Sequence, residues 1–270
     1  MALRSKWRPR RAKILFVTGG SGFLGRHLVN GLASADWEIV APSSTSLDIR
    51  NREAVIDAVR DWRPTAIAHL AYRKPDRRSI VDGSRHIAEA ASLAKSRLVH
   101  MSSDVIFPGR PRPYVETDEP FGLSDYARDK IDAERGVAAA CPGAVMIRTS
   151  LIYGTIELAP LQQDVVDAIE GRRPTTFFTD QVRCPVHVDD VAVAVSRLAA
   201  MPGVGGPLHV AGPDALSRAE FAARTARLLG LDPTRIRTTT MAEAGLVLPG
   251  RVVLDSSRAA ALGIACRPVY

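Results

Sequence analysis

Two short stretches of the chain carry side chains suited to moving a proton and holding a phosphate. The first is Ser124-Asp125-Tyr126-Ala127-Arg128-Asp129-Lys130. Tyr126 and Lys130 are four residues apart, so on a helix they share a face and point into one cleft. A free phenol titrates near ~10 and is a poor acid at neutral pH. A neighbouring ammonium favours the phenolate and lowers that value. The spacing therefore predicts a tyrosine tuned as general acid for a carbonyl under reduction. Ser103, in Met101-Ser102-Ser103-Asp104, adds a hydroxyl able to hold the same carbonyl oxygen.

The second stretch is Thr18-Gly19-Gly20-Ser21-Gly22-Phe23-Leu24-Gly25, with glycines three apart at 19, 22 and 25. Gly19 would permit a tight turn, Gly22 would let a pyrophosphate approach the backbone, and Gly25 would let the following helix pack closely. The free N–H groups at that helix start, with the positive end of its dipole, would face the phosphates. A site for NAD commonly ends its second strand in an acid that holds the ribose 2′-OH. Here the strand ends Ala41-Pro42-Ser43-Ser44. With no acid to repel it, a 2′-phosphate would sit on Ser43, Ser44 and Arg50, so NADPH is expected over NADH.

These residues need a scaffold, and the hydrophobic pattern supplies one. Lys13–Val17, Trp37–Ala41, Ala66–Ala71, Arg97–Ser103 and Ala144–Ser150 read as short, buried strands. Between them Phe23–Ser34, Arg52–Trp62, Ile80–Lys95 and Asp125–Ala140 read as helices. The second must stop before Arg63-Pro64. Strands alternating with helices give an α/β fold, a doubly wound parallel sheet of Rossmann type. Ser103 then leaves the fourth strand at its C-terminal end, where such sheets bind ligands.

Beyond Ser150 the rhythm loosens. A helix is expected over Asp189–Met201, a strand over Pro207–Gly212, and a capping box at Ser217–Glu220 opens another helix to about Leu229. The expected division is a dinucleotide-binding domain over 13–154, with 180–212 returning to it. A smaller C-terminal substrate-binding lobe takes 155–179 and 213–270, and a basic flexible tail takes 1–12.

Composition fits this picture. The 270 residues are 46% hydrophobic and 24% charged, the balance of a globular chain. The net charge of +7 is concentrated at one end. Arg4, Lys6, Arg8, Arg10, Arg11 and Lys13 come before any acid, and the remainder is nearly neutral. That reads as a solvated terminus rather than a nucleic-acid or membrane contact. No run of eighteen apolar residues occurs, so a membrane span is excluded. Cys141, Cys184 and Cys266 are odd in number and widely spaced, which suggests neither a disulfide framework nor a zinc site. A reducing cytoplasm is the expected home.

The segments together resemble the extended short-chain dehydrogenase/reductase superfamily. TGGSGFLG, HLAY (His69–Tyr72), MSSD (Met101–Asp104), YARDK (Tyr126–Lys130) and IRTSLIYG (Ile147–Gly154) come in its order. Within it the chain is most similar to the dTDP-4-dehydrorhamnose reductase group and its relative, the regulatory β subunit of methionine adenosyltransferase. SLDI (Ser46–Ile49), SSDVIF (Ser102–Phe107), Y-x-E-T-D-E-P (Tyr114–Pro120), DQVRCPVHVDDVA (Asp180–Ala192) and RVVLDSSRAAALGI (Arg251–Ile264) carry that likeness.

The resemblance implies a catalytic set of Ser103, Tyr126 and Lys130, with Lys130 also on the nicotinamide ribose. It implies a cofactor groove of Gly19, Gly22, Phe23, Leu24, Gly25, Asp48, Ile49, Leu70, Ala71 and Tyr72. It implies hydride transfer to the C4 ketone of a nucleotide-linked 6-deoxyhexose. Asp104, Val105 and Leu151 would face that substrate. Val105 stands where the group has tyrosine and Leu151 where it has tryptophan. The superfamily's helix-borne asparagine near residue 80 has no counterpart in Ser79–Ile87. The alternative function is a non-catalytic, NADP-binding regulatory subunit. A homodimer is compatible with either.

Three further groups carry side chains suited to binding. Tyr153, at the end of the fifth strand, is expected either to touch substrate or to pack. Arg183 and Arg251 are candidates for a diphosphate, since a guanidinium suits that geometry. His187, Asp189 and Asp190 cluster like metal ligands, but a helix start explains acids there better, so no metal is expected.

Overall fold

The computed structural model describes residues 13–31 and 37–270. The basic tail expected over 1–12, and the end of the first expected helix at Leu32–Ser34, lie outside the described residues.

The first half of the chain alternates as its pattern predicts. In order come β1 (Lys13–Thr18), α1 (Phe23–Gly31), β2 (Trp37–Val40), α2 (Arg52–Trp62), β3 (Ala66–His69), α3 (Gly83–Ala94), β4 (Arg97–Met101), α4 (Asp125–Ala140) and β5 (Val145–Thr149). Asn51 caps α2 by accepting from the Ala54 N–H at 3.1 Å. The helix ends at Arg63 in the left-handed region, φ 47°, where Pro64 forbids continuation. The expected helix over Ile80–Lys95 begins instead with one wide π turn, Arg78–Asp82, before α3 takes over.

The second half uses shorter pieces. They are β6 (Ile152–Tyr153), α5 (Pro160–Ile169), β7 (Thr176–Phe178), β8 (Val182–Arg183), β9 (Val186–His187), α6 (Val188–Ala199), β10 (Gly206–Val210), β11 (Leu216–Ser217), α7 (Arg218–Leu228), β12 (Arg237–Thr239) and α8 (Ser257–Ala261). The capping box at α7 forms as read. Ser217 accepts from the Glu220 N–H, and Glu220 accepts from the Ser217 N–H.

Six strands make one parallel sheet in the order β10-β5-β4-β3-β1-β2. The chain winds outward from β1 to β2, then crosses to β3 on the other side of β1. That reversal opens a crevice above β1 and β3 at the C-terminal strand ends. One face packs Leu15, Val17, Ala68, Val99 and Ile147 against α6 residues such as Val191 and Val195. The opposite face packs Phe16, Ile67 and Leu98 against Val55, Ile87 and Val137 of α2, α3 and α4. Each such side chain taken fully from water contributes ~1.5–3 kcal/mol. With both faces covered, the strands are nearly continuous in apolar residues. The pattern breaks at Arg148, whose guanidinium lies 2.7 Å from the Glu134 carboxylate of α4. Both are buried, so the pair ties α4 to β5.

Candidate active site

The first βα turn is built by its glycines. Gly19 has φ +76°, and a β-carbon there would lie 2.8 Å from the Ala71 nitrogen. A β-carbon on Gly25 would come within 2.1 Å of the Gly19 carbonyl. Gly25 thus seats α1 on the turn itself rather than on the strand. Gly22 donates its N–H to Gly19 at 3.0 Å, and a β-carbon there would meet only the Gly19 carbonyl, at 3.3 Å. α1 begins with no acid in its first turn, so its positive pole is left open toward the crevice. A pyrophosphate fits such a cradle: backbone comes close, donors face it, and no carboxylate competes.

The crevice is a cavity of about 830 Å³, within the range of cofactor and ligand sites. Its wall brings together Gly19, Gly22, Phe23, Leu24, Gly25, Ser44, Asp48, Ile49, Leu70, Ala71 and Tyr72 on one side. Ser103, Asp104, Val105, Tyr126, Lys130 and Leu151 line it further along. Sequence reasoning missed Arg73, Lys74 and Asp76, which line it after β3, and Ala159–Leu161, which close it from the second half. The charged run Arg73-Lys74-Pro75-Asp76-Arg77-Arg78 was the available signal for the first group.

Four expected residues stand elsewhere. Ser43 is off the cavity wall, with its Oγ 2.7 Å from Thr45 Oγ1 within the exposed bend after β2. Tyr153 is buried among His187, Phe221 and Tyr270, and its hydroxyl donates to the Pro268 carbonyl at 3.3 Å. It packs the second half and does not reach the cleft. Arg183 is buried too. Its guanidinium donates to the carbonyls of Val182, Gly250 and Pro249, with Nε 3.6 Å from Asp104. It braces the wall from behind. Arg251 is exposed and donates to the Pro111 carbonyl, away from the cleft.

Ser124 caps α4 by accepting from Ala127 N–H at 3.2 Å, which fixes Tyr126 in the first turn and Lys130 one turn on. Lys130 is buried and donates to the Met101 carbonyl at 2.8 Å. Burial pulls its ammonium down to about 8. The expected lowering of Tyr126 by Lys130 is not what the site displays. Burial, with the Tyr72 phenol and the Asp104 carboxylate nearby, holds the Tyr126 phenol well above the usual range. The Lys130 ammonium faces the Tyr72 ring instead, 4.7 Å from its centroid. Tyr72 in turn stacks on Tyr126 at 6.0 Å.

Ser103 caps the short turn Asp104–Ile106, its Oγ accepting from Val105 N–H at 3.4 Å. Asp104 beside it takes a hydrogen bond from Ser150 Oγ at 2.7 Å, and burial pushes its carboxyl up. Beneath the cleft floor, His69 bridges Thr18 Oγ1 (2.7 Å) and Ser84 Oγ (3.1 Å), and its ring lies 5.3 Å from that of His100. Burial keeps His69 neutral, down to about 3. At the rim Asp48 binds Arg50 at 2.8 Å, which pulls the carboxyl down to about 2; Arg50 also reaches Asp76 at 3.2 Å.

The cluster His187-Asp189-Asp190 is spent on structure. His187 Nδ1 accepts from Asp189 N–H, Asp189 lies 2.7 Å from His27 Nδ1, and Asp190 pairs with Arg267 at 2.6 Å. Among the described residues no helix is long and apolar enough to cross a membrane.

A family model described as RmlD substrate binding domain matches residues 12–268. The dTDP-4-dehydrorhamnose reductase of Mycobacterium tuberculosis is 31% identical, covering 86% of this chain and 81% of that protein. The methionine adenosyltransferase 2 subunit beta of Rattus norvegicus is 28% identical, covering 95% of this chain and 84% of that protein. Among solved structures, the dTDP-4-dehydrorhamnose reductase of Bacillus anthracis in complex with NADP superposes with a TM-score of 0.84 at 23% identity. It covers 97% of this chain and 95% of that one. The Thermus thermophilus UDP-glucose 4-epimerase complex with NAD gives 0.78 at 22% identity, over 93% of each chain.

Proposed function

This chain belongs to the RmlD substrate-binding domain family, and from that membership we propose that it is an NAD(P)H-dependent reductase of a keto sugar nucleotide. The substrate is a nucleotide-linked 4-keto-6-deoxysugar or a related ketone. One observation carries the reading: Ser103, Tyr126 and Lys130 line the same crevice as the glycine turn. Proton donor and phosphate cradle therefore serve a single bound pair of molecules.

The glycine turn from Gly19 to Gly25 holds the pyrophosphate. Asp48 and Ile49 border the adenine, and Leu70, Ala71 and Tyr72 line the groove. NADPH is the preferred form, because Asp48 is tied up by Arg50 and Ser44 stands at the rim. When bound, the nicotinamide cofactor supplies the hydride. Ser103 holds the substrate oxygen and Tyr126 gives it a proton. Lys130 contributes a fixed positive charge beside the reacting groups. Asp104, Val105 and Leu151 shape the sugar side.

The test follows NADPH oxidation at 340 nm with a panel of 4-keto-6-deoxysugar nucleotides, wild type against Tyr126→Phe. Turnover abolished by the substitution, with cofactor binding retained, supports the reductase. Tight cofactor binding with no turnover on any member of the panel supports a non-catalytic regulatory subunit. That second reading is favoured by Val105 and Leu151, the small wall residues where the reductase group carries tyrosine and tryptophan.

A further inference from the structure

When a phenol gives up its proton inside a protein, the charge left on it must be met by a nearby cation. Here Lys130 is committed to the Met101 carbonyl and faces the ring of Tyr72. The ammonium that faces Tyr126 belongs to another residue. Lys74 Nζ lies 3.6 Å from the centroid of the Tyr126 ring. Phenolate charge is shared between oxygen and ring, so a cation at that distance acts on it directly.

Two features hold Lys74 there. The loop after β3 is knotted on Ser79, whose Oγ accepts from Arg73 N–H and donates to the Asp76 carbonyl, each at 2.9 Å. Arg77 then clamps the loop to α4 through Asp129 and Asp132, the latter at 2.8 Å. These acids are occupied by Arg77, and Asp76 is occupied by Arg50. Among the described residues, no carboxylate lies within ion-pair distance of Lys74, so its charge is free to act on Tyr126. The groups facing Tyr126 are then Tyr72 and Asp104, which oppose its ionisation, and Lys74 from the loop, with Lys130 one turn along α4.

We propose that Lys74 tunes Tyr126 through the ring, stabilising the phenolate formed when Tyr126 protonates the substrate oxygen. The inference rests on the reductase reading above. In that step the phenolic O–H bond breaks and its electron pair stays on Tyr126. A new O–H bond forms on the substrate oxygen, while the carbonyl carbon accepts hydride from the nicotinamide cofactor. Lys74 neither gives nor takes the proton. It offsets the burial that otherwise holds the phenol as a weak acid.

The test incorporates 3,5-difluorotyrosine at position 126 and follows its ¹⁹F shift against pH in cofactor-free protein, with Lys74, Lys74→Arg and Lys74→Met. The expected result is a midpoint raised by about one unit in Lys74→Met, equivalent to tenfold, and unchanged in Lys74→Arg. Steady-state rates should then fall about tenfold in kcat for Lys74→Met, with KM for NADPH unchanged. A midpoint that stays put in Lys74→Met, or rises equally in Lys74→Arg, overturns the proposal. Because the titration needs no substrate, it is decided even if no keto sugar is turned over.

Discussion

At the scale of single residues, Tyr126 and Lys130 reach the crevice from α4, and Ser103 reaches it from the turn after β4. Four-residue spacing placed Tyr126 and Lys130 on one face of α4, and Ser103 at the end of β4. Which cation meets which ring depends on how the loop after β3 folds over the helix, and no local pattern encodes that. The packing of Tyr153 and Arg183 behind the wall was not legible for a similar reason: their burial is set by C-terminal residues, far off in sequence. Lys130 gives a pH signature. Burial lowers its ammonium from 10.5 to about 8, so the site holds its fixed charge below that value and loses it above. The rate of carbonyl reduction, measured as kcat/KM, should fall as pH rises through about 8; a flat profile to high pH would exclude this role. The same shift has a stability consequence. Between about 8 and 10.5 the unfolded chain keeps a proton that the folded chain has shed, so this group makes stability rise with pH there. Lys130→Met should remove that rise from urea midpoints measured across the window.

At the scale of elements, long and strongly patterned segments declared themselves. The helix Asp125–Ala140 and the strands β1, β4 and β5 follow from apolar runs, caps and breakers. The wide turn Arg78–Asp82 and the two-residue strands β6, β8, β9 and β11 do not. The short strands exist because distant backbone presents a partner, as when Leu216 and Ser217 pair with Arg183 and Val182. The glycine turn gives the sharpest element-scale prediction. In Gly25→Ala the new methyl would overlap the Gly19 carbonyl and the Gly20 backbone. Relief needs the turn to open, at a cost of ~1–3 kcal/mol. The expected outcome is a lower thermal midpoint and at least a tenfold loss of NADPH affinity, read by fluorescence titration. Unchanged affinity would mean that this turn does not hold the phosphates.

At the scale of the whole molecule, residues far apart in sequence brace one wall of the cleft, with Tyr270 behind Gln162. Alternation of strands and helices made the parallel sheet legible, but the placement of β10 beside β5 and the route of the last residues were not. Tyr270 donates to or accepts from Thr225 at 2.6 Å and receives the Gln162 amide at 3.2 Å. Gln162 is fully buried and holds Gly154 and Ala159 through three hydrogen bonds, fixing the segment that lines the cavity at Ala159–Leu161. Tyr270→Phe removes the hydroxyl and leaves Thr225 and the Gln162 amide each one hydrogen bond short, which should cost ~1–3 kcal/mol. It should also raise KM for the carbonyl substrate while leaving cofactor affinity alone. Equal loss of both affinities would show that the C-terminal residues support the fold generally rather than this wall.

On the proposed function, the crevice between the glycine turn and α4 carries hydride and proton to one carbonyl. A single-turnover experiment tests it most directly, with NADPH deuterated at the nicotinamide C4 and a 4-keto-6-deoxysugar nucleotide, the product being weighed by mass spectrometry. One deuterium is expected at the reduced carbon with wild-type protein, and none above background with Tyr126→Phe at full cofactor occupancy. Equal label transfer by the two proteins would contradict it.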